Sequence, residues 1–174
     1  MKITLPDNSS RELPEGSSGY DLAKDIGPGL AKSAVAVTIN GIQKDLHDVI
    51  EGDVSASIIT IDSDEGIEIM RHTLTAQVLA RALKNIYPSS KLAIGPTIDD
   101  GFYYDIETKD AISIDDLEKI EDEMIKIVKT KSSITKKLVG KEDALKIFKS
   151  QKETYKESII AVSYTHLTLP TIFR

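Results

Sequence analysis

The sequence predicts an α+β fold in two parts, and three observations carry the prediction. Short apolar runs at residues 3–5, 34–39 and 55–61, broken by turn residues, describe a small sheet covered by one short helix. A stripe of apolar residues at four-residue steps, from Met70 to Ile86, opens a second texture built of longer helices. Between the two, residues 62–66 are acidic and turn-like, which places the boundary there and gives parts 1–61 and 62–163.

In the first part, Ile3 and Leu5 alternate with polar neighbours, Asp7-Asn8-Ser9 turns the chain, and Glu12-Leu13 returns as a second strand. Ser18 and Asp21 stand at the spacing of a reciprocal cap, where each side chain accepts a backbone N–H from the other. The helix that follows covers 20–26 and is stopped by Gly27-Pro28-Gly29. Residues 34–39 are rich in β-branched side chains and lead into Asn40-Gly41, a pair suited to a type I′ turn because both central residues need positive φ. Residues 42–46 therefore pair back, and 55–61 form one more strand.

In the second part, Met70, Leu74, Val78, Ala82 and Ile86 share one helix face, and the helix ends at Tyr87-Pro88 because a residue before proline is pushed out of the α region. Residues 91–106 give two short strands around Gly95-Pro96 and Asp100-Gly101. Ser113 and Asp116 repeat the capping spacing, and Leu117, Ile120, Met124 and Ile127 continue it as a helical stripe. Ile134 and Leu138 indicate a strand, and Ala144, Leu145 and Phe148 a helix.

Composition bounds the function. The 174 residues are 40% hydrophobic and 29% charged, as in chains that pack a core. With 22 Lys+Arg against 28 Asp+Glu the net charge is -6, which excludes a globally basic protein that coats nucleic acid. Charge is nevertheless segregated: residues 98–123 carry 11 acids and 2 lysines, and residues 126–156 carry 10 lysines and 3 acids. The lysine-rich stretch is either a solvated helix face or a surface for RNA. Without cysteine there is no disulfide, no thiolate nucleophile and no cysteine-bound zinc. The first residues lack the apolar run of an export signal, and nowhere do about 18 apolar residues follow one another, so a cytoplasmic location and no membrane partner are expected.

The three histidines, His47, His72 and His166, are far apart in sequence, and no metal site is expected. His72 opens the long helix, with Ala76 four residues on and Gln77 five residues on, about 140° further round. It is either a structural histidine or a proton-transfer group. Asp99-Asp100, beside Gly101, are turn residues or paired carboxylates. Gly95-Pro96 lacks the Lys-Ser/Thr that would complete a phosphate-binding loop.

Arg71-His72-Thr73, the helix end Ile86-Tyr87-Pro88 and, above all, the run from Ile94 to Asp105 (Ile-Gly-Pro-Thr-Ile-Asp-Asp-Gly-Phe-Tyr-Tyr-Asp) resemble the amino-terminal editing domain of the threonyl-tRNA synthetases. Lys2-Ile3-Thr4-Leu5-Pro6-Asp7, Ala31-Lys32-Ser33-Ala34-Val35 and Tyr155-Lys156-Glu157 extend the likeness over about residues 1–161. Residues 1–61 resemble the β-grasp (ubiquitin-like) TGS domain that opens most of these synthetases and occurs in some GTPases and stringent-response enzymes. The resemblance implies a TGS domain followed by a truncated α/β editing domain. It implies a parent that is a threonine-tRNA ligase, joining threonine to its tRNA with ATP and hydrolysing mischarged seryl-tRNA. The partner it implies is the acceptor end of threonine-specific tRNA. ATP, magnesium and zinc belong to the class II core beyond these residues, as does homodimer formation, so no cofactor is expected here and the 174 residues alone are expected to be inactive.

The resemblance also implies site residues. The family's editing pocket uses a His-x-x-x-His pair, and His72 fits its first position as an editing catalytic group. Counting back from Tyr87-Pro88 instead puts Gln77 at the second position and Thr73 at the first, as if one residue were inserted between His72 and Gln77. Gly95 and Tyr104 match substrate-binding positions near the terminal adenosine or the aminoacyl ester, with Gln77 beside them. Lys156 matches a catalytic position, where an ammonium would orient water or stabilise a developing oxyanion. From residue type alone these are a turn glycine, a core tyrosine and a solvated lysine. The family's next element, Asp-x-Cys-x-x-x-His, is not in this chain. From Val162 onward the likeness ends, and residues 164–174 read as a non-native tail in which His166 has no role. A sheet cut there would leave an unpaired edge. The alternative functions are a freestanding TGS-type RNA-binding or regulatory module without catalysis, and a freestanding hydrolase of mischarged tRNA.

Overall fold

A computed structural model describes residues 1–162 and the backbone of residues 166–172. The chain divides into two compact units, Met1–Met70 and the residues from Arg71 onward.

The first unit opens with β1 (Lys2–Thr4) and β2 (Ser10–Glu12), joined by a turn in which Asp7 accepts the Ser9 N–H at 2.9 Å and Asn8 takes a positive φ of 64°. α1 (Gly19–Ile26) carries the expected reciprocal cap: the Ser18 N–H donates to the Asp21 carboxylate at 2.8 Å and the Asp21 N–H donates to Ser18 Oγ at 3.3 Å. Such a cap contributes about 1 kcal/mol. Gly27-Pro28-Gly29 stops α1 but does not end helical structure, because α2 (Pro28–Ser33) begins at once with Pro28 in its first turn. A proline there costs no hydrogen bond, since the first N–H groups of a helix have no partner within it. β3 (Ala34–Ile39) and β4 (Ile42–Asp45) meet at Asn40 and Gly41, whose φ values of 51° and 80° are those a type I′ turn requires. β5 (Val54–Thr60) completes a sheet in the order β2-β1-β5-β3-β4, in which β1 and β5 run parallel and the other neighbours antiparallel. Ile3, Leu22, Val37, Ile39, Ile50 and Ala56 form its core, with Leu22 of α1 fully enclosed.

α3 (Asp64–Thr73) starts earlier than the apolar stripe indicates, within the residues read as a turn. Ser63 acts as its cap, its Oγ accepting the Gly66 N–H at 3.1 Å and donating to the Thr60 carbonyl at 2.8 Å. Gly66 itself lies against that carbonyl. The first compact unit runs on through Met70, so most of α3 belongs to it.

Past Thr73 the helical run continues as a π segment (Leu74–Leu79) and then α4 (Ala80–Ile86). The two short strands expected in 91–106 are four: β6 (Lys91–Leu92), β7 (Thr97–Ile98), β8 (Gly101–Phe102) and β9 (Ile106–Glu107). β7 pairs with β8 and β6 with β9, both antiparallel, so one hairpin nests inside the other. Ala93 N–H to Asp105 C=O at 3.0 Å and Asp105 N–H to Ile94 C=O at 2.9 Å bridge the stretch between them. α5 (Asp115–Lys129) follows the expected Ser113–Asp116 pairing, in which the Ser113 N–H and hydroxyl donate to Asp116 at 2.9 and 2.8 Å.

β10 (Ile134–Gly140) and α6 (Lys141–Ser150) lie where the sequence places a strand and a helix, and α7 (Thr154–Val162) is a further helix. β11 (His166–Ile172) pairs antiparallel with β10 along its whole length, from Ile134 opposite Ile172 to Gly140 opposite His166. The non-native tail expected at 164–174 thus includes a strand partner of β10, while residues 164, 165, 173 and 174 of it, and the His166 side chain, lie outside the described part. Ala80, Leu83, Leu92 and Ile120 form the main core of this unit, with Tyr104 and Ile106 packed on it. Among the described residues no helix is long and apolar enough to cross a membrane.

Candidate functional site

The π segment is where the site begins. A π turn bonds each N–H to the carbonyl five residues back and so accommodates one residue more than an α turn. It falls on the stretch where counting forward from His72 and counting back from Tyr87-Pro88 differ by one residue. Within it Thr75 is fully buried and donates its hydroxyl to the Arg71 carbonyl at 2.8 Å. Arg71 in turn donates to the Asp99 carbonyl at 2.5 Å and reaches the Ile98 carbonyl at 3.4 Å. Asp99 and Asp100 are the two-residue turn between β7 and β8, both exposed, which decides for the turn reading of that pair.

Arg71 thus ties the hairpin tip to the helix, and Gly95 closes the gap between them. A Cβ on Gly95 would lie 2.7 Å from Tyr104 Cδ2 and 2.9 Å from Thr75 Cγ2, inside van der Waals contact. Only glycine lets the hairpin lie flat on Thr75 with the Tyr104 ring against it. Gly95→Ala is expected to displace the Tyr104 ring and destabilise the second unit by about 1–3 kcal/mol. Urea unfolding together with the near-ultraviolet tyrosine signal checks this, and wild-type values for both would show that the ring has room to move.

A second group of side chains stands beside the first. Glu153, at the start of α7, is only 3% exposed. It forms an ion pair with Lys84 of α4, which also donates to the Ser90 carbonyl, and it accepts a long hydrogen bond from the Leu92 N–H at 3.5 Å. Lys156, half-buried on the first turn of α7, holds its Nζ 5.5 Å from the centre of the Phe148 ring. Burial pushes the Lys156 ammonium below the usual lysine range; Lys84 pushes the same way, and the Glu153 carboxylate opposes both. The Tyr104 phenol is pushed up, first by burial and then by the charge of Glu153.

Of the residues singled out in the sequence, Gly95 and Tyr104 are in contact, and the charge of Glu153 pushes up both the Tyr104 phenol and, against burial, the Lys156 ammonium. Gln77 sits half-buried in the π segment. His72 is exposed on α3, and among the described residues no hydrogen bond or ion pair joins it to this group. Thr75, Lys84 and Glu153 belong to the site and were not singled out. Glu153 had a signal: it is one of three acids among the ten lysines of 126–156. Among the described residues no three His, Asp or Glu side chains gather as a metal site would need. The arrangement offers a phenol, a partly desolvated amine and a buried carboxylate around a backbone stripped of side-chain cover. Those groups suit a polar ligand carrying an ester or a hydroxyl.

In the first unit, the five-stranded mixed sheet packed on α1 is a β-grasp fold. Residues 1–60 match the family model of the TGS domain, and this part of the chain is a TGS domain. The match ends one residue before the boundary expected at 61.

Proposed function

We propose that these residues are the amino-terminal region of a threonine-tRNA ligase, with the TGS domain followed by part of a domain that edits mischarged seryl-tRNA. The contact of Gly95, Tyr104 and Thr75 carries the reading, because it turns a resemblance in a linear run into a built surface. Tyr104 and Gly95 would receive the terminal adenosine of the tRNA, with Gln77 beside them. Lys156 would face the aminoacyl ester, and His72 on α3 would take the family's first histidine position. In this reading ATP, magnesium and zinc serve the ligase core of such a synthetase, and homodimer formation goes with that core in the cytoplasm. With the family's His-x-x-x-His pair broken between His72 and Gln77, the chain is proposed to bind the acceptor end without hydrolysing it.

A mixture of the chain with seryl-tRNA tests both halves. The expected result is binding that weakens when the terminal adenosine is removed, with ester loss no faster than in buffer. Ester loss above buffer would make the chain a hydrolase. Binding indifferent to the terminal adenosine would favour the second reading, a freestanding TGS-type RNA-binding or regulatory module, which the TGS match at residues 1–60 and the lysines of 126–156 support. No binding to tRNA would remove the editing reading.

A further inference from the structure

α5 carries two apolar stripes, and the core of its unit uses one of them. Ile120 and Ile127 are buried, Met124 packs on the same clusters, and Glu123 accepts the Asn85 amide of α4 at 2.8 Å, so this side of the helix meets α4. Leu117, which the spacing groups with Ile120, Met124 and Ile127, is instead turned outward and 55% exposed. It belongs to a second stripe with Ile114, Ile125 and Val128, which are 84%, 43% and 58% exposed. Ile114 has helical backbone angles, φ of -60° and ψ of -35°, so the turns run through it. At 100° per residue, positions 114, 117, 121, 125 and 128 fall within an arc of about 80°. Four of the five are apolar, and the fifth, at the centre, is the exposed Glu121. Apolar side chains scattered singly over a surface need no explanation, but a row of them along one helix face marks a place of contact.

The stripe reads the same in both directions about residue 121, with 117 and 125 equally far from it and 114 and 128 equally far again. Turned end for end, a second α5 sets its Val128 against Ile114, its Ile125 against Leu117 and its Glu121 against Glu121. Charge follows the same reversal. Residues 115–123 hold six acids and one lysine, and residues 124–131 hold three lysines and no acid. An antiparallel copy brings its Lys126 and Lys129 beside Asp115 and Glu118, all four exposed, whereas a parallel copy would set acid on acid and lysine on lysine. Lys126 also reaches Glu123 of its own helix at 3.4 Å, but its side chain lies mostly in solvent and the pair competes weakly.

We propose that the outer face of α5 is a docking surface for a second copy of this chain, the two helices packing antiparallel across a two-fold axis at Glu121. Self-complementarity in both apolar spacing and charge is what selects a second copy as the occupant. The two Glu121 carboxylates oppose each other at the axis and weaken the pair. One helix on another also buries less than the ~1,200 Å² of stable complexes, so the dimer is weak and reversible. It is independent of the editing reading.

Sedimentation equilibrium of the whole chain is the test, and a monomer–dimer equilibrium with a dissociation constant of about 10–100 µM is expected. Leu117→Lys should weaken it by about tenfold or more, and Glu121→Gln should tighten it by about threefold. Leu138→Lys, at an exposed apolar position on β10, should leave it unchanged. The end-for-end arrangement is read by exchanging charges. One chain carries Lys126→Glu with Lys129→Glu, and another carries Asp115→Lys with Glu118→Lys. Each alone sets like charges together and should dimerise about tenfold less well than the unaltered chain, while an equal mixture should recover a heterodimer of near-unaltered affinity. A chain that stays monomeric up to about 1 mM overturns the proposal, whatever else covers the stripe. So does a dimer that ignores Leu117→Lys or responds equally to Leu138→Lys, and so does a mixture that associates no better than its two components. If a charge-exchanged chain does not fold, the three single variants decide alone: weaker, tighter and unchanged in that order supports the proposal, and any other set of results overturns it.

Discussion

Leu83→Ala is expected to lower the stability of the second unit by about 2–5 kcal/mol. Leu83 is 1% exposed at the centre of a cluster with Ala80, Leu92 and Ile120, where α4, β6 and α5 meet. Truncating it removes buried methyl groups and leaves a cavity that helices anchored at both ends cannot collapse into. Leu92 is a neighbour in that cluster and donates its N–H to Glu153, and Tyr104 packs on the same residues. The loss should therefore reach the candidate site as faster amide exchange at Leu92 and Asp105. Urea unfolding with hydrogen exchange measures both, and a loss under about 0.5 kcal/mol would show that the cluster is not the core of this unit.

The second large effect is expected at Gly66→Ala, about 3 kcal/mol. The alanine methyl would overlap the Thr60 carbonyl oxygen and lie 2.8 Å from its carbon. A flexible side chain could swing aside, but a carbonyl at the end of a paired strand cannot. The start of α3 would have to back away, breaking the Ser63 hydroxyl contacts with Gly66 and Thr60. Thermal unfolding of the chain with Gly66→Ala, beside Gly29→Ala as a control at a glycine with open space around it, isolates the effect. Equal midpoints would show that the strand end yields.

The elements that could be read from the sequence are those fixed by a few neighbouring residues. Asn40-Gly41 gave the β3–β4 hairpin because two positive φ angles restrict the choice of residue, and Ser18–Asp21 gave α1 because the cap is satisfied within four residues. The elements misread depend on more distant partners or on signals with two meanings. Pro28 both ends one helix and begins another. The start of α3 depends on Thr60, which a reading of residues 62–66 by themselves does not include. α7 escaped notice because its apolar residues make no clear stripe, with Ile160 alone fully buried. In the site, Gly95 and Tyr104 were found through a resemblance, whereas Thr75 and Lys84 looked like ordinary helix residues. Their roles come from a hairpin 20 residues away from Thr75, measured from Thr75 to Gly95, and from an acid at position 153.

The π segment at Leu74–Leu79 has a consequence for how such a helix changes over generations. A residue gained in an α-helix rotates everything after it by about 100° and would turn the Leu83 side of α4 away from its core. Absorbed as one wide turn, the same gain leaves both flanks as they were: Arg71 still meets the hairpin tip, and Leu83 and Lys84 still meet Leu92 and Glu153. A coding change of three nucleotides can then remodel the stretch that faces Gly95 while the frame around it persists. Length, and not only residue identity, becomes a variable through which this pocket can drift.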